Sequence, residues 1–124
     1  IPNGLPAVGD RLPILWTYGV RAGRITANQF VALTSTNPAK IFGLYPRKGA
    51  LLVGSDADLV VWDGEGTRTL SAKTHFHRND RCLFEGLEVK GVPSTVLLGG
   101  RIVYRGGDLR AERGAGRYLA RRVS

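Results

Sequence analysis

The sequence is poor in the residues that define several protein classes. Its 124 residues include one cysteine, Cys82, and because a disulfide needs two thiols none can form within the chain. No apolar run approaches the roughly 20 residues that a membrane-spanning helix needs. We therefore expect a cytoplasmic protein with no membrane partner.

The sequence also lacks methionine, even at its first position. Its opening residues, Ile1-Pro2-Asn3-Gly4, have neither the basic end nor the apolar run of a signal peptide. A chain of this length is long enough to form one domain with a core. We expect it to be a piece of a longer protein or a processed chain.

Histidine is scarce, and both copies stand in the stretch THFHRND at residues 74–80. If this stretch is an extended strand, His75 and His77 lie on one face and their imidazoles can bind one zinc ion. Zinc sites need three or four protein ligands, so Asp80 or Cys82 would have to contribute. The alternative is a pair of histidines on a surface or at an interface.

Positive charge dominates, with a formal net charge of +8. Residues 101–124 are rich in arginine and glycine but contain few aromatic side chains that bases can stack on, Tyr118 among them. This pattern favours a solvated tail or a tail that contacts another subunit over an arm that binds nucleic acid. We expect no nucleic-acid partner.

The first half of the chain has helical signals. Asp10 can cap a helix that stops at Gly23, and Thr26-Ala27-Asn28-Gln29 fits a capping box for a second helix. Asn37, followed by proline, can cap a third helix that ends at Gly43.

The second half has the signals of short strands. Residues 51–53 and 59–62 are apolar runs that flank the turn GSDA. Residues 96–98 and 102–104 flank Gly99-Gly100, a dipeptide that suits the positive φ angles of a tight hairpin. Other glycines and a proline are expected to divide the remaining β segments into short pieces. The chain is therefore predicted to be α and then β.

Catalytic motifs are sparse. Asp56 and Asp58 have the spacing of paired carboxylates, but GSDADL between two strands is typical of a turn in which aspartate bonds its own backbone. No G-x-S-x-G motif is present, and Gly99-Gly100 lacks the lysine and helix of a phosphate loop. The residues by themselves do not form a complete active site.

The passage TSTNPAKIFGLYPRKGALLVGSDADLVVWD, residues 34–63, resembles the C-terminal part of the metal-dependent amidohydrolase superfamily. IPNGLPAVGDRLPIL, FEGLEVKGVPSTVLLGGRIVY and GAGRYLARR are similar to the cyclic amidohydrolases, the dihydropyrimidinase and D-hydantoinase branch. The resemblance covers essentially the whole chain. It implies an α/β parent enzyme, a TIM barrel with a small β-sandwich, that hydrolyses the ring amide of hydantoins or dihydropyrimidines.

The resemblance also implies where the chemistry is located. Members of this branch hold two zinc ions, whose ligands come from upstream residues, so we expect no metal ligand and no catalytic residue in this chain. It lowers the expectation of metal binding by His75 and His77, since the family's catalytic H-x-H lies elsewhere. Asn3 matches the asparagine whose backbone groups bind the substrate ring, so Asn3 is the predicted substrate-binding residue.

The implied organisation has three parts. Residues 1–48 would end the barrel, residues 49–105 would belong to the β-sandwich, and residues 106–124 would form a tail for subunit contacts. The implied partners are the upstream part of the same protein and identical subunits, commonly in a homotetramer. The alternative is a non-catalytic relative of the collapsin-response-mediator type, which acts by assembly.

Overall fold

The helical part of the chain consists of short segments that follow one another closely. The computed structural model describes Gly4 and residues 6–121. The segments are helix α1 (Arg11–Leu15), a π-helical segment (Trp16–Arg21), helix α2 (Ala27–Val31), a second π-helical segment (Ala32–Thr36) and helix α3 (Asn37–Ile41). In the described part of the chain, no helix has the length and apolar character needed to cross a membrane.

The predicted helix boundaries are confirmed in part. The first helical run ends before Gly23, which has φ +70°, and Phe42 and Gly43 (φ +65°) follow the last. Asp10 precedes α1, but its side chain makes no capping hydrogen bond. The predicted cap at Asn37 is wrong, because residues 27–41 form one continuous helical run. Pro38 lies in the first turn of α3, where a missing N–H is tolerated.

The β part is a four-stranded sheet with the order β1-β2-β3-β4. The strands are β1 (Leu59–Thr69), β2 (Glu88–Leu98), β3 (Arg101–Arg105) and β4 (Asp108–Leu109), and the pairs β2/β3 and β3/β4 are antiparallel. The predicted order of helices followed by strands is therefore confirmed.

The hairpin between β2 and β3 forms where the sequence predicts it. Gly99 and Gly100 have φ +56° and +80°, values that residues with a side chain adopt only with strain. Leu98 pairs with Arg101, and Val96 pairs with Tyr104 after an irregularity in the register.

Two of the strand predictions are wrong. Residues 51–53 are not a strand, and Leu51 and Val53 are 82% and 108% exposed. Glycines and a proline do not divide β1 and β2, which are each 11 residues long. One reason is packing: a Cβ on Gly64 would lie 2.7 Å from Trp16 Cζ2, so this glycine lets an indole ring approach the strand.

The chain divides into two compact units. The first comprises Ile1–Thr26 and Asp63–Val92. Leu70 and Val89 are each 1% exposed in its core. Trp16 Nε1 donates a hydrogen bond to the Gly64 carbonyl at 3.1 Å, and the Lys90 N–H donates to the Thr17 hydroxyl at 2.9 Å. These bonds join the first helical run to strands β1 and β2.

The second unit comprises Ala27–Trp62 and Pro93–Ser124. Phe30 is buried, with its ring centroid 5.6 Å from that of Trp62. Thr36 donates a hydrogen bond from its hydroxyl to the Gly49 carbonyl at 2.8 Å. This bond holds the segment that follows α3 against the helical run.

Gly49 provides a test of this packing. It has φ +75°, and an added Cβ would lie 2.5 Å from the Ala39 Cβ and 3.0 Å from the Ser35 carbonyl oxygen. Gly54 has φ +91° but open space around its Cβ position. In the full-length protein we expect Gly54→Ala to lower the free energy of unfolding by about 1–2 kcal/mol through backbone strain alone. Gly49→Ala should cost about 1–3 kcal/mol more because of the clash.

Urea denaturation of both variants measures this difference. Equal losses of stability in the two variants would contradict the close packing of Gly49 against Ala39.

Candidate functional site

Residues 71–87 form a loop of turns and bends between β1 and β2. The loop is closed at its base, where the Leu70 N–H donates to the Leu87 carbonyl and the Gly86 N–H donates to the Leu70 carbonyl, both at 2.9 Å. The Glu85 carboxylate accepts the Ser71 hydroxyl at 2.6 Å and the Ala72 N–H at 2.8 Å. Both bonds lower the pKa of Glu85, and the hydrogen bond from Ser71 has the larger effect.

Both histidines lie in this loop, so the extended strand that would place them on one face is not formed. Their ring centroids are 4.6 Å apart. His75 Nδ1 accepts the His77 N–H at 3.1 Å, and His77 Nε2 accepts the Gly9 N–H at 3.1 Å. A metal ion at either nitrogen would have to replace a hydrogen bond to the backbone.

The additional ligands considered for a metal do not join the histidines. Asp80 is exposed, and Cys82 Sγ lies 3.6 Å from an Asp10 carboxylate oxygen. Burial raises the pKa of the Cys82 thiol, which keeps it protonated and able to donate to Asp10. Within the residues that the structure describes, histidine, cysteine and carboxylate side chains form no group of three or more that fits a metal ion.

Gly9 and Asp10 are held by side chains from distant parts of the sequence. Asp10 is 1% exposed, and Arg68 Nη2 lies 3.5 Å from its Oδ1 and donates to the Gly9 carbonyl at 3.2 Å. His77 and Cys82 contact the same two residues. We call this cluster the Gly9 clamp; its members are Gly9, Asp10, Arg68, His77 and Cys82. Sequence reasoning missed it because its members are separated by up to 73 positions and follow no periodic pattern.

Asp56 and Asp58 have structural partners in the second unit, but these are not the backbone partners that the turn interpretation predicts. Lys48 binds both carboxylates, at 2.9 Å for Asp56, and Asp58 Oδ1 accepts the Gly99 N–H at 2.8 Å. The carboxylates therefore bond a lysine and the β2/β3 turn, not their own backbone. The Lys48 ammonium lowers the pKa of Asp56 and of Asp58, and the Asp58 carboxylate raises the pKa of Lys48.

The predicted substrate-binding residue, Asn3, lies outside the described residues, so its role stays a prediction. The segment from Pro6 to Asp10 that follows it is described and ends in the Gly9 clamp.

The arginine-rich end of the chain starts as part of the sheet. Leu109 of β4 pairs with Tyr104 of β3. Residues 110–121 then have no regular secondary structure, and Tyr118 is 91% exposed. The exposed arginines and tyrosine leave this segment available for contacts outside the described chain.

Comparison with known proteins identifies the family. Residues 11–103 match the model of the amidohydrolase family. The chain belongs to the amidohydrolase family. It is 54% identical over 119 residues to dihydropyrimidinase 2 of Caenorhabditis briggsae and 50% identical over 121 residues to dihydropyrimidinase of Rattus norvegicus. These matches cover 96% and 98% of this amidohydrolase chain but 23% of each relative, so the chain spans about a quarter of their length.

Solved structures give the same result for the fold of this amidohydrolase chain. A D-hydantoinase crystal structure matches with a TM-score of 0.95 at 49% identity, covering 98% of this chain and 26% of that one. A D-hydantoinase (dihydropyrimidinase) from Thermus sp. matches with a TM-score of 0.93 at 50% identity over the same shares. The resemblance to the dihydropyrimidinase and D-hydantoinase branch is confirmed.

The two functions of Asp58 can be separated by substitution in the full-length protein. Asp58→Asn keeps an oxygen that accepts the Gly99 N–H but loses the ion pair with Lys48, whereas Asp58→Ala loses both. We expect Asp58→Ala to be less stable than Asp58→Asn by about 1 kcal/mol, the net value of one hydrogen bond.

The ion pair also predicts a pH dependence. Because the folded-state pKa of Asp58 is lowered from 3.8, its stabilisation is complete above that value and is lost as the pH falls through the folded pKa. Urea denaturation midpoints should show wild type and Asp58→Asn converging in acid. A difference that stays constant down to low pH would contradict the ion-pair contribution.

Proposed function

We propose that this chain is the C-terminal quarter of a cyclic amidohydrolase that opens the ring amide of hydantoins or dihydropyrimidines. The observation that carries this proposal is the identity of 50–54% to dihydropyrimidinases over nearly the whole chain. The similarity to D-hydantoinase structures supports the same substrate class, cyclic amides.

We assign the helical part to the end of a TIM barrel and residues 49–105 to a β-sandwich that upstream strands complete. Strand β1 stands at the end of the strand order, so within the described part of the chain one of its edges has no neighbouring strand. Several large apolar side chains are exposed, among them Ile41, Leu51 and Val53. Unpaired edges and exposed apolar groups are expected of a piece that packs against the rest of its protein.

The two zinc ions expected for this branch would be bound by upstream residues. Both histidines of this chain already accept backbone hydrogen bonds. When bound, such metals polarise the ring carbonyl and activate water at neutral pH. Residues of this chain would contribute by binding and positioning the substrate.

Asn3 is the substrate contact that we propose in this chain. A Pro-Asn-Gly turn presents backbone N–H and C=O groups, and a cyclic amide offers the complementary acceptor and donor. In a TIM barrel the loops that follow the strands carry function, which fits the place of this turn before the last helices.

We propose subunit contact as the role of the exposed tail from residue 106. Its arginines and the exposed Tyr118 are residue types that are enriched at protein interfaces. A homotetramer is the assembly that the branch implies.

A second candidate is a non-catalytic assembly protein. It is favoured by the match to dihydropyrimidinase-related protein 5 of Mus musculus, 45% identical over 118 residues, 95% of this chain and 21% of that relative. That identity is lower than for the two dihydropyrimidinases. The two candidates differ in activity: the full-length protein hydrolyses a cyclic amide if it is an enzyme and does not if it is an assembly protein.

We expect the purified full-length protein to open the rings of hydantoin or dihydrouracil and to lose this activity after treatment with a chelator. Added zinc should restore it. Ring opening is measured by the loss of ultraviolet absorbance of the cyclic amide, with a variant that lacks one upstream metal ligand as the inactive control. A metal-loaded protein that opens neither ring would favour the assembly function.

The role of Asn3 predicts a contrast between two changes in the full-length enzyme. Asn3→Ala keeps the backbone groups, so KM should change by less than about threefold, which is below the value of one hydrogen bond. Insertion of one residue within Ile1-Pro2-Asn3-Gly4 should raise KM at least tenfold, because it displaces those groups. Steady-state kinetics measure both, and an insertion without effect would rule out this assignment.

A further inference from the structure

Gly9 is held at both of its backbone polar atoms by side chains of the Gly9 clamp. His77 Nε2 accepts its N–H at 3.1 Å, and Arg68 donates to its carbonyl at 3.2 Å. The next residue, Asp10, is buried and paired with Arg68. Side chains from strand β1 and from the loop of residues 71–87 therefore fix the position of the segment that leads into α1.

The contact between His77 and Gly9 is close enough to favour glycine. A Cβ on Gly9 would lie 3.1 Å from His77 Nε2, so a larger residue would push the imidazole away. The orientation of the ring is set as well. Nε2 accepts the Gly9 N–H, while the other ring nitrogen, Nδ1, is buried and has no hydrogen-bond partner among the described residues. The N–H of His77 donates to His75 Nδ1 at 3.1 Å, which fixes the backbone beneath the ring.

The loop that carries His77 is itself anchored. Glu85 accepts hydrogen bonds from Ser71 and Ala72 and so joins the two ends of the loop. Cys82, on the returning side of the loop, donates to Asp10. The position of His77 relative to Gly9 is therefore determined from both ends of the loop.

We propose that His77 is a positioning residue for substrate binding, acting through Gly9 on the segment that leads back to Asn3. Gly9 follows Asn3 by six positions in the sequence, so a backbone held at Gly9 limits the distance at which Asn3 can lie to about 20 Å, the reach of six extended residues. The inference rests on the proposed function of a cyclic amidohydrolase with a substrate contact at Asn3. His77 contacts the backbone of Gly9 and has no part in the bond-breaking step.

Two substitutions in the full-length enzyme, numbered as in this chain, test the proposal. His77→Gln places an amide oxygen near the position of Nε2 and keeps the acceptor, whereas His77→Ala removes it. We expect His77→Ala to raise KM for dihydrouracil or hydantoin about fivefold, the size of one neutral hydrogen bond, with kcat nearly unchanged. His77→Gln should keep KM within about twofold of wild type, which is a smaller change in KM than the loss of one hydrogen bond causes. Arg78→Ala, at an exposed neighbour, is the matched control and should leave KM unchanged.

Hydrogen exchange of the peptide that spans residues 6–12, followed by mass spectrometry, provides a readout that does not depend on activity. His77→Ala should speed exchange in this peptide, and His77→Gln and Arg78→Ala should not. Unchanged exchange in His77→Ala would overturn the clamp itself. Faster exchange with an unchanged KM would overturn its role in substrate binding. A wild-type enzyme that opens neither ring would refute the proposed function and the substrate role, while exchange would still decide whether the clamp exists.

Discussion

The buried carboxylate of Asp10 is the constraint on which the first unit depends. An ionised carboxylate loses several kcal/mol of hydration when it is buried, so it must be paired and hydrogen-bonded. Arg68 and Cys82 supply these contacts, and they come from strand β1 and from the loop that follows it. The start of the first helix, the strand and the loop are thereby brought to one place. Leu70 and Val89 form the apolar core of the same unit.

In the second unit, carboxylates are also paired, but nearer to the surface. Lys48 lies between Asp56 and Asp58, and Asp58 also accepts the Gly99 N–H of the β2/β3 turn. The turn before β1 and the turn after β2 are thus joined by one carboxylate. Exposed ion pairs contribute little stability individually, so the hydrogen bond to the turn gives Asp58 its more specific role.

Local chemistry explains why parts of the fold could be predicted. Gly23, Gly43 and the pair Gly99-Gly100 all have positive φ, and each marks the end of a helical run or a tight turn as expected. Residues 51–53 were predicted to be a strand because they are apolar, but an apolar run does not show whether a partner strand is available. Glycines were expected to divide the β segments, yet Gly64 lies within β1, where the Trp16 ring packs close to it. Both errors arise from contacts that are distant in the sequence.

By itself, the sequence determined the order of helices and strands, the β2/β3 hairpin and the membership in the amidohydrolase family, because these depend on local turn chemistry and on motifs that are continuous along the chain. Only the tertiary structure decided the roles of Asp10, Arg68 and His77. Asp10 has the sequence context of a helix cap and His77 that of a metal ligand, but both are parts of the Gly9 clamp. The physical reason is that burial and hydrogen-bond partners are set by which side chains meet in space, and the members of the clamp are brought together only by folding.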